Sequence, residues 1–307
     1  MTRKVGLLIG RERDFPEALI EEINQRDQDV SADYIMLGGT GVSDEIQYEV
    51  ILDRISDEVP YYRTYLKHAA VQGARVINNP FMWSADDKFF GVSAARKLGV
   101  NCPKSIALPN KEYGPGVVHP DSLTNLIAPL DWDSIVDRIG LPCVLKDAHG
   151  GTRKQVFICH SLDELIYCFD QSGTRTMVVQ EYVDWEHYVR CFCLDRKNTL
   201  IIKYDPGLRS YEVDHEHLTE ELGAWIEDDS LKLARSFGYD MNAIEWAIRD
   251  GIPYAIDFLN LAPEIERDVL TPFYFDQLVK MTADMVIRLA LKSPTSPEMT
   301  TWDKLFR

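Results

Sequence analysis

Glu245, Asp257 and Asn260 are the residues of this chain whose types and spacing could do chemistry: two carboxylates and an amide, all hard oxygen donors, in the stretch NAIEWAIRDGIPYAIDFLN. Side chains alternate along a strand, so Ile244, Trp246 and Ile248 share one face, and Glu245, Ala247 and Arg249 share the other. In the second run the bulky Tyr254, Ile256 and Phe258 are also even-numbered. If both strands bury one common face, even residues pair with even. That parity argues against a two-residue Asp250-Gly251 turn and predicts a three-residue loop, Asp250 to Ile252, with Glu245 directly opposite Asp257. Facing carboxylates lie about 5 Å apart at Cβ and repel each other. They either share a divalent cation of the magnesium type, whose shell is usually completed by water and nucleotide phosphates, or they turn to solvent or to Arg190, Lys203 or Arg249. Asn260, three residues beyond Asp257, falls on the opposite face of a regular strand. Its participation therefore requires a bulge between Phe258 and Asn260.

A second candidate lies in VLKDAHGGTRK, where Lys146 in a strand precedes Gly150, Gly151 and Thr152, a loop whose backbone N–H groups could drape over phosphates. The spacing is not that of a Walker loop, and a Gly-Gly pair between cations is a turn as readily as a phosphate loop. The segment DHEH, Asp214 to His217, has a zinc-like look but reads better as a polar loop before a helix. The six cysteines show no CxxC and sit in apolar contexts, as reduced core thiols do.

The elements that must position these residues alternate first as strand and helix. KVGLLIG is followed by RDFPEALIEEINQ, with Asp14 placed to cap a helix and Pro16 in its first turn. Through ADYIMLGG, YEVILDRIS, YYRTYLKHAAVQG and ARVINNP this gives a small α/β domain with a parallel sheet over residues 1–82. Its glycines form no G-x-G-x-x-G, which argues against a Rossmann dehydrogenase. Ser84 is placed to cap a helix over ADDKFFGVSAARKLG. There follow the strands CPKSIALP, PCVLKDA, QVFICH and TMVVQEYV, with the helices WDSIVDRIG and Ser161-capped SLDELIYCFDQSG. Two hairpins, YVRCFCLDRKNTLIIKY and NAIEWAIRDGIPYAIDFLN, flank a long helix, and a last helix begins at Phe273.

With 33 Lys and Arg against 49 Asp and Glu, the chain carries a net charge of −16, which repels nucleic acid and anionic membranes alike. No apolar run reaches the roughly 20 residues of a membrane span, and the N-terminal apolar stretch is too short for a signal peptide. The expectation is a cytoplasmic protein with no nucleic-acid or membrane partner.

Taken in order, ADDK, VLKDAHGGTRK, VVQEYVDWEHYVRC and EWAIRDGIPYAIDFLN make the chain resemble the ATP-grasp superfamily. DDKFF, GYDMN and YAIDF add a particular likeness to a bacterial subgroup in which NPAPDAD stands where this chain has NLAPEIE. The resemblance implies an α/β pre-grasp domain followed by an α+β ATP-grasp fold, two lobes with mostly antiparallel sheets clasping a nucleotide. The expected divisions are 1–82, a small lobe over 83–184, a large lobe over 185–295 carrying the metal site, and a tail over 296–307. It also implies Lys88 and Lys146 on ATP phosphates under the Gly150–Gly151–Thr152 loop, Gln180, Glu181 and Val183 at the adenine, and Glu186 as the ribose acid. Glu245, Asp257 and Asn260 become ligands of Mg2+ or Mn2+; the twelve-residue separation of the two acids matches several family members. The family's usual acid-x-Asn is one residue longer here. Arg190, with Arg209 on a loop, is expected to handle anions near the acceptor. The implied activity is an ADP-forming ligase that activates a carboxylate as an acylphosphate and joins it to an amine or thiol. Other outcomes for the same fold are a nucleotide-binding regulatory or scaffold protein and a small-molecule kinase. Small-molecule carboxylate and amine substrates follow, and a homodimer is compatible with the sequence.

Overall fold

The computed structural model describes residues 2–26, 29–82, 87–114, 123–149 and 156–292. Three sheets succeed one another along these residues. The first contains β1 (Arg3–Leu8), β2 (Val30–Tyr34), β3 (Val50–Asp53) and β4 (Arg75–Ile77), all parallel in the order β2-β1-β3-β4. Helices α1 (Asp14–Gln25) and α2 (Pro60–Val71) accompany it. Asp14 is the first helical residue rather than the cap; Arg13 holds the cap position without a side-chain bond. In the first turn Asp14 and Glu17 still complement the positive end of the helix.

The second sheet is antiparallel, β5-β8-β6-β7, from β5 (Ser105–Leu108), β6 (Cys143–Asp147), β7 (Val156–Cys159) and β8 (Met177–Glu181). Helices α4 (Trp132–Ile139) and α5 (Leu162–Asp170) close one face through a core containing Leu108, Ile135, Leu145, Phe169 and Val179. Ser161 caps α5 as expected. Lys146 and Gln180 therefore stand on the opposite face.

The third sheet is also antiparallel, β11-β10-β9-β12-β13, from β9 (His187–Leu194), β10 (Asn198–Asp205), β11 (Ser210–Glu212), β12 (Met241–Arg249) and β13 (Ile252–Asn260). One face packs on α3 (Lys88–Lys97) and α6 (Glu220–Phe237), around Val92, Ile244, Trp246 and Phe237. The other shares a core with the parallel sheet and α7 (Arg267–Leu291), joining Phe192 and Ala243 to Leu7, Phe15 and Phe275. The last helix starts earlier than Phe273. A first turn from Arg267 is broken at Thr271, whose φ of 66° precedes Pro272, and the main helix continues from there. Ser84 lies outside the described residues; α3 is capped by Asp87, which accepts from the Phe89 and Phe90 amides.

All six thiols are free, and burial pushes the Cys102 and Cys159 pKa up to about 12, as inert core thiols require. Among the described residues no helix is long and apolar enough to cross a membrane.

The β12–β13 turn differs from the expected one. Arg249 pairs with Ile252, so Asp250 and Gly251 alone form the turn, with φ of 54° and 70°. Two central residues at positive φ give the twist that a tight hairpin needs. The parity premise fails because this sheet is buried on both sides. Tyr254 and Ile256 pack toward α7, while Ala255 and Phe258 pack toward α6. The expected partnership of Glu245 with Asp257 nevertheless holds, because Trp246 pairs with Ala255 and β13 then gains one residue before Asp257.

Candidate functional site

The bulges of β13 build the site. Ile256 packs on the α7 side, yet the next residue, Asp257, stands opposite Glu245, whose neighbours in alternation, Ala243 and Ala247, lie on that same side. Phe258 and Leu259 then both turn to the α3 side: a Cβ placed on Gly91 of α3 would lie 3.0 Å from Leu259 and 3.2 Å from Phe258. A second register shift follows, and Asn260 pairs with Ala243. Two consecutive residues on one face, twice over, bring Asp257 and Asn260 back to the face of Glu245.

Across the sheet this face carries a lateral row, Arg190 on β9, Glu245 on β12 and Asp257 on β13. Arg190 is ion-paired to Glu245, donates to the Tyr211 hydroxyl and stacks over the Tyr204 ring at 4.5 Å. Tyr188 donates to the other Glu245 oxygen at 2.7 Å. The pairing with Glu245 holds the Arg190 pKa above its ordinary value despite burial. Arg190 is thus the counter-charge in an acidic pair that alone would repel, the ion-pair alternative that the sequence offered beside a shared cation. Its Nε is buried without a hydrogen-bond partner among the described residues.

Lys146 approaches from the second sheet. Its ammonium donates to Gln180 Oε1 at 2.9 Å and to the Ile256 carbonyl at 3.2 Å, one residue before Asp257. Burial lowers its pKa, Asp257 opposes that shift, and Lys88 reinforces it. Lys88 is the first residue of α3, its amide bound to the Ala148 carbonyl just past β6. Two cations and two carboxylates from four elements therefore feel one another's fields.

Of the remaining expected residues, Gln180 reaches this centre through Lys146. Gln180 is buried and held by Lys146 and Ser105. Glu181 receives Arg249 at 3.2 Å, an ion pair between β8 and β12. Val183 is buried in the core, and Glu186 is exposed, its amide bound to the Ile248 carbonyl. Arg209 is exposed on the turn between β10 and β11 with φ of 55°. Gly150, Gly151 and Thr152 lie outside the described residues. In DHEH, His217 bonds the Asp214 carbonyl and Asp214 accepts the Glu216 amide, a polar loop ahead of the Thr219-capped α6.

Glu245, Asp257 and Asn260 fit a magnesium-type ion. They offer two carboxylates and an amide oxygen on one face, partly accessible, with cations nearby for phosphates. Among the described residues no three of His, Cys, Asp and Glu gather into a metal cluster, so an ion here relies on the amide and on ligands outside the protein.

Three framing residues escaped sequence reasoning. Asn78, after β4, donates to the Met241 and Leu261 carbonyls and accepts the Asp240 and Met241 amides, holding both ends of the hairpin. Arg54, after β3, pairs with Glu12 at 2.7 Å and donates to the Pro263 carbonyl. Asn242 bonds the Phe258 carbonyl and the Asn260 amide. Only Asn242 left a signal, as the one amide in the otherwise apolar even row of β12.

No protein-family model matches the chain. It is 26% identical over 182 residues to a D-alanine–D-alanine ligase of Bacillus anthracis, a match covering 53% of this chain and 58% of that one. The chain thus spans little more than half the length of the curated relatives it matches. Solved structures cover it more fully. D-alanine–D-alanine ligase from Bacillus anthracis complexed with ATP superposes with a TM-score of 0.67 at 19% identity, covering 95% of this chain and 97% of the other. A RimK domain ATP-grasp protein from Sphaerobacter thermophilus gives 0.66 at 15% identity, over 94% and 100%. The ATP-grasp ligase PsnB, complexed with a precursor peptide and AMPPNP, gives 0.64 at 15% identity, over 94% and 97%.

Proposed function

From the ATP-grasp fold that this chain shares with those ligases, we propose that it is an ATP-dependent ligase that activates a carboxylate as an acylphosphate and joins it to an amine, releasing ADP and phosphate. The observation that carries this reading is the meeting of Lys146 with the carbonyl next to Asp257, which sets a buried cation of one sheet against the acidic pair of the other. On this reading residues 1–82 precede the grasp, 83–184 form the small lobe and 185–295 the large one.

Phosphoryl transfer asks the protein for position and charge more than for covalent chemistry. Lys88 and Lys146 would hold phosphate oxygens, with Gly150, Gly151 and Thr152 above them. Gln180, Glu181 and Val183 would border the adenine and Glu186 the ribose. Glu245, Asp257 and Asn260 would hold Mg2+ or Mn2+, which neutralises phosphate charge when bound. An acceptor carboxylate oxygen attacks the γ-phosphorus and ADP leaves; the amine then attacks the acyl carbon, phosphate departs with its bonding pair, and the nitrogen gives up one proton to the departing phosphate or to solvent. Arg190, and Arg209 from its loop, would steady the anions of that sequence.

D-alanine ligase acts on a small molecule by its name, and PsnB was captured with a peptide. The small-molecule class is proposed for this chain. Incubation with ATP, Mg2+ and pooled carboxylates and amines tests it. The expected result is ADP and phosphate together with a product whose mass equals the two substrates less water. ADP with a stable phosphorylated product and no amine consumed would replace the ligase with a kinase. Tight nucleotide binding with no turnover on any pool would replace it with a binding protein.

A further inference from the structure

The geometry points to Asn242 as the positioning residue that sets Asn260 on the metal-binding face, an inference that rests on the metal role proposed above for Glu245, Asp257 and Asn260. Asn242 is 1% exposed, and by alternation its side chain lies on the face opposite to Glu245, among Ile244, Trp246 and Phe258. A polar side chain in such a place must be satisfied locally. Its Nδ2 donates to the Phe258 carbonyl at 2.8 Å, and its Oδ1 accepts from the Asn260 amide at 3.0 Å.

Those two backbone groups bracket the second bulge, between the Glu245–Asp257 and Ala243–Asn260 pairings. A bulge interrupts the ladder and leaves backbone groups in need of partners. The Asn242 carboxamide supplies a donor and an acceptor in one rigid plane, so the extra residue stays where it is. Phe258 and Leu259 are thereby held on the α3 side, and Asn260 emerges beside Ala243 on the face of Glu245 and Asp257. Without this clamp the strand can redistribute its extra residue, and Asn260 loses the face that the metal needs. Asn242 touches no reacting group; it acts through Asn260.

The test is binding of Mn2+ with a non-hydrolysable ATP analogue, read from the electron paramagnetic resonance of free Mn2+, in wild type, Asn242→Ala, Asn260→Ala and the double variant. Outer partners of metal ligands typically change affinity by about 10- to 100-fold. Asn242→Ala is expected to weaken Mn2+ by about 10-fold, to leave analogue affinity without metal within twofold, and to add almost nothing in the Asn260→Ala background. A merely structural residue would lower the melting temperature with no such non-additivity. Additive effects, or unchanged Mn2+ affinity in Asn242→Ala, overturn the proposal. If Asn242→Ala does not fold, Asn242→Asp replaces it. That variant keeps the volume and the acceptor for Asn260 but sets an oxygen against the Phe258 carbonyl, and the same pattern is expected; unchanged Mn2+ affinity there overturns the proposal. Asp257→Ala separates the two readings: if it leaves Mn2+ binding intact, the metal role itself fails.

Discussion

Glu245 and Asp257 face each other across β12 and β13 although the turn joining the two strands is one residue shorter than that pairing requires on regular strands. The missing residue is supplied inside β13, where the backbone bulges between Ala255 and Asp257. The Ile256 carbonyl in that bulge is the acceptor of Lys146, so the defect that aligns the acids also receives the cation of the other sheet.

Asp257→Asn tests the acidic pair from both sides. Metal-dependent turnover should fall by about 100-fold or more, the upper end of what even outer partners of a metal cost. Stability in the absence of metal should change little, because removal of a like charge opposite Glu245 is set against loss of the attraction between Asp257 and the buried Lys146 ammonium. Steady-state kinetics with varied Mg2+ and a metal-free melting curve measure the two effects, and activity should be lost with the fold intact.

Arg190 carries the electrostatic load of the pair. Its side chain and that of Glu245 are 8% and 13% exposed, so removal of one partner leaves a charge with little water to screen it. Arg190→Met should destabilise the protein by about 3 kcal/mol, and Arg190→Met with Glu245→Gln should recover most of that loss. Urea unfolding of the four members of the cycle decides it.

Lys146 gives a pH signature. Burial lowers its pKa in the folded protein, so between that value and its unfolded value of about 10.4 the unfolded chain binds more protons. Stability from this group therefore rises with pH through that window, and the penalty for holding the ammonium is fully present below it. Lys146→Met should be relatively more stable than wild type at neutral pH, with the advantage shrinking as pH climbs toward the unfolded value. The difference between the two unfolding curves isolates this group from tyrosines and thiols that titrate nearby. Nucleotide affinity should fall in the same variant.

Gly251→Val probes the turn without touching the site. A β-branched residue at φ of 70° costs about 1–2 kcal/mol. Because the register of the acids is set by the bulges, metal affinity should stay within twofold while the melting temperature drops. Loss of metal binding would show that the turn, not the bulge, fixes the register.

Much of the fold was legible because the signals are local. Strand and helix alternation over the first 80 residues, the Ser161 cap and the two hairpins follow from periodicity and capping chemistry. Asp14 and Thr271 mark the limit of such reading: a residue suited to cap was displaced by one position, and a turn of helix formed ahead of Pro272.

By itself the sequence determined which residues could meet: two acids twelve apart on neighbouring strands, an amide close behind, and a lysine on another sheet. It also determined that Asn260 could join them only through a bulge. The tertiary structure decided where the bulges fall and what holds them. β12 and β13 are buried on both faces, so hydrophobic alternation carried no preference for one register. The deciding groups were the Asn242 carboxamide on the neighbouring strand and Phe258 and Leu259 against α3. Arg190 shows the same limit: the sequence offered it as one of three cationic partners for the acids, but its further engagement with Tyr204 and Tyr211 joins residues from four strands. Such partners are set by sheet order, a long-range property that no local spacing encodes.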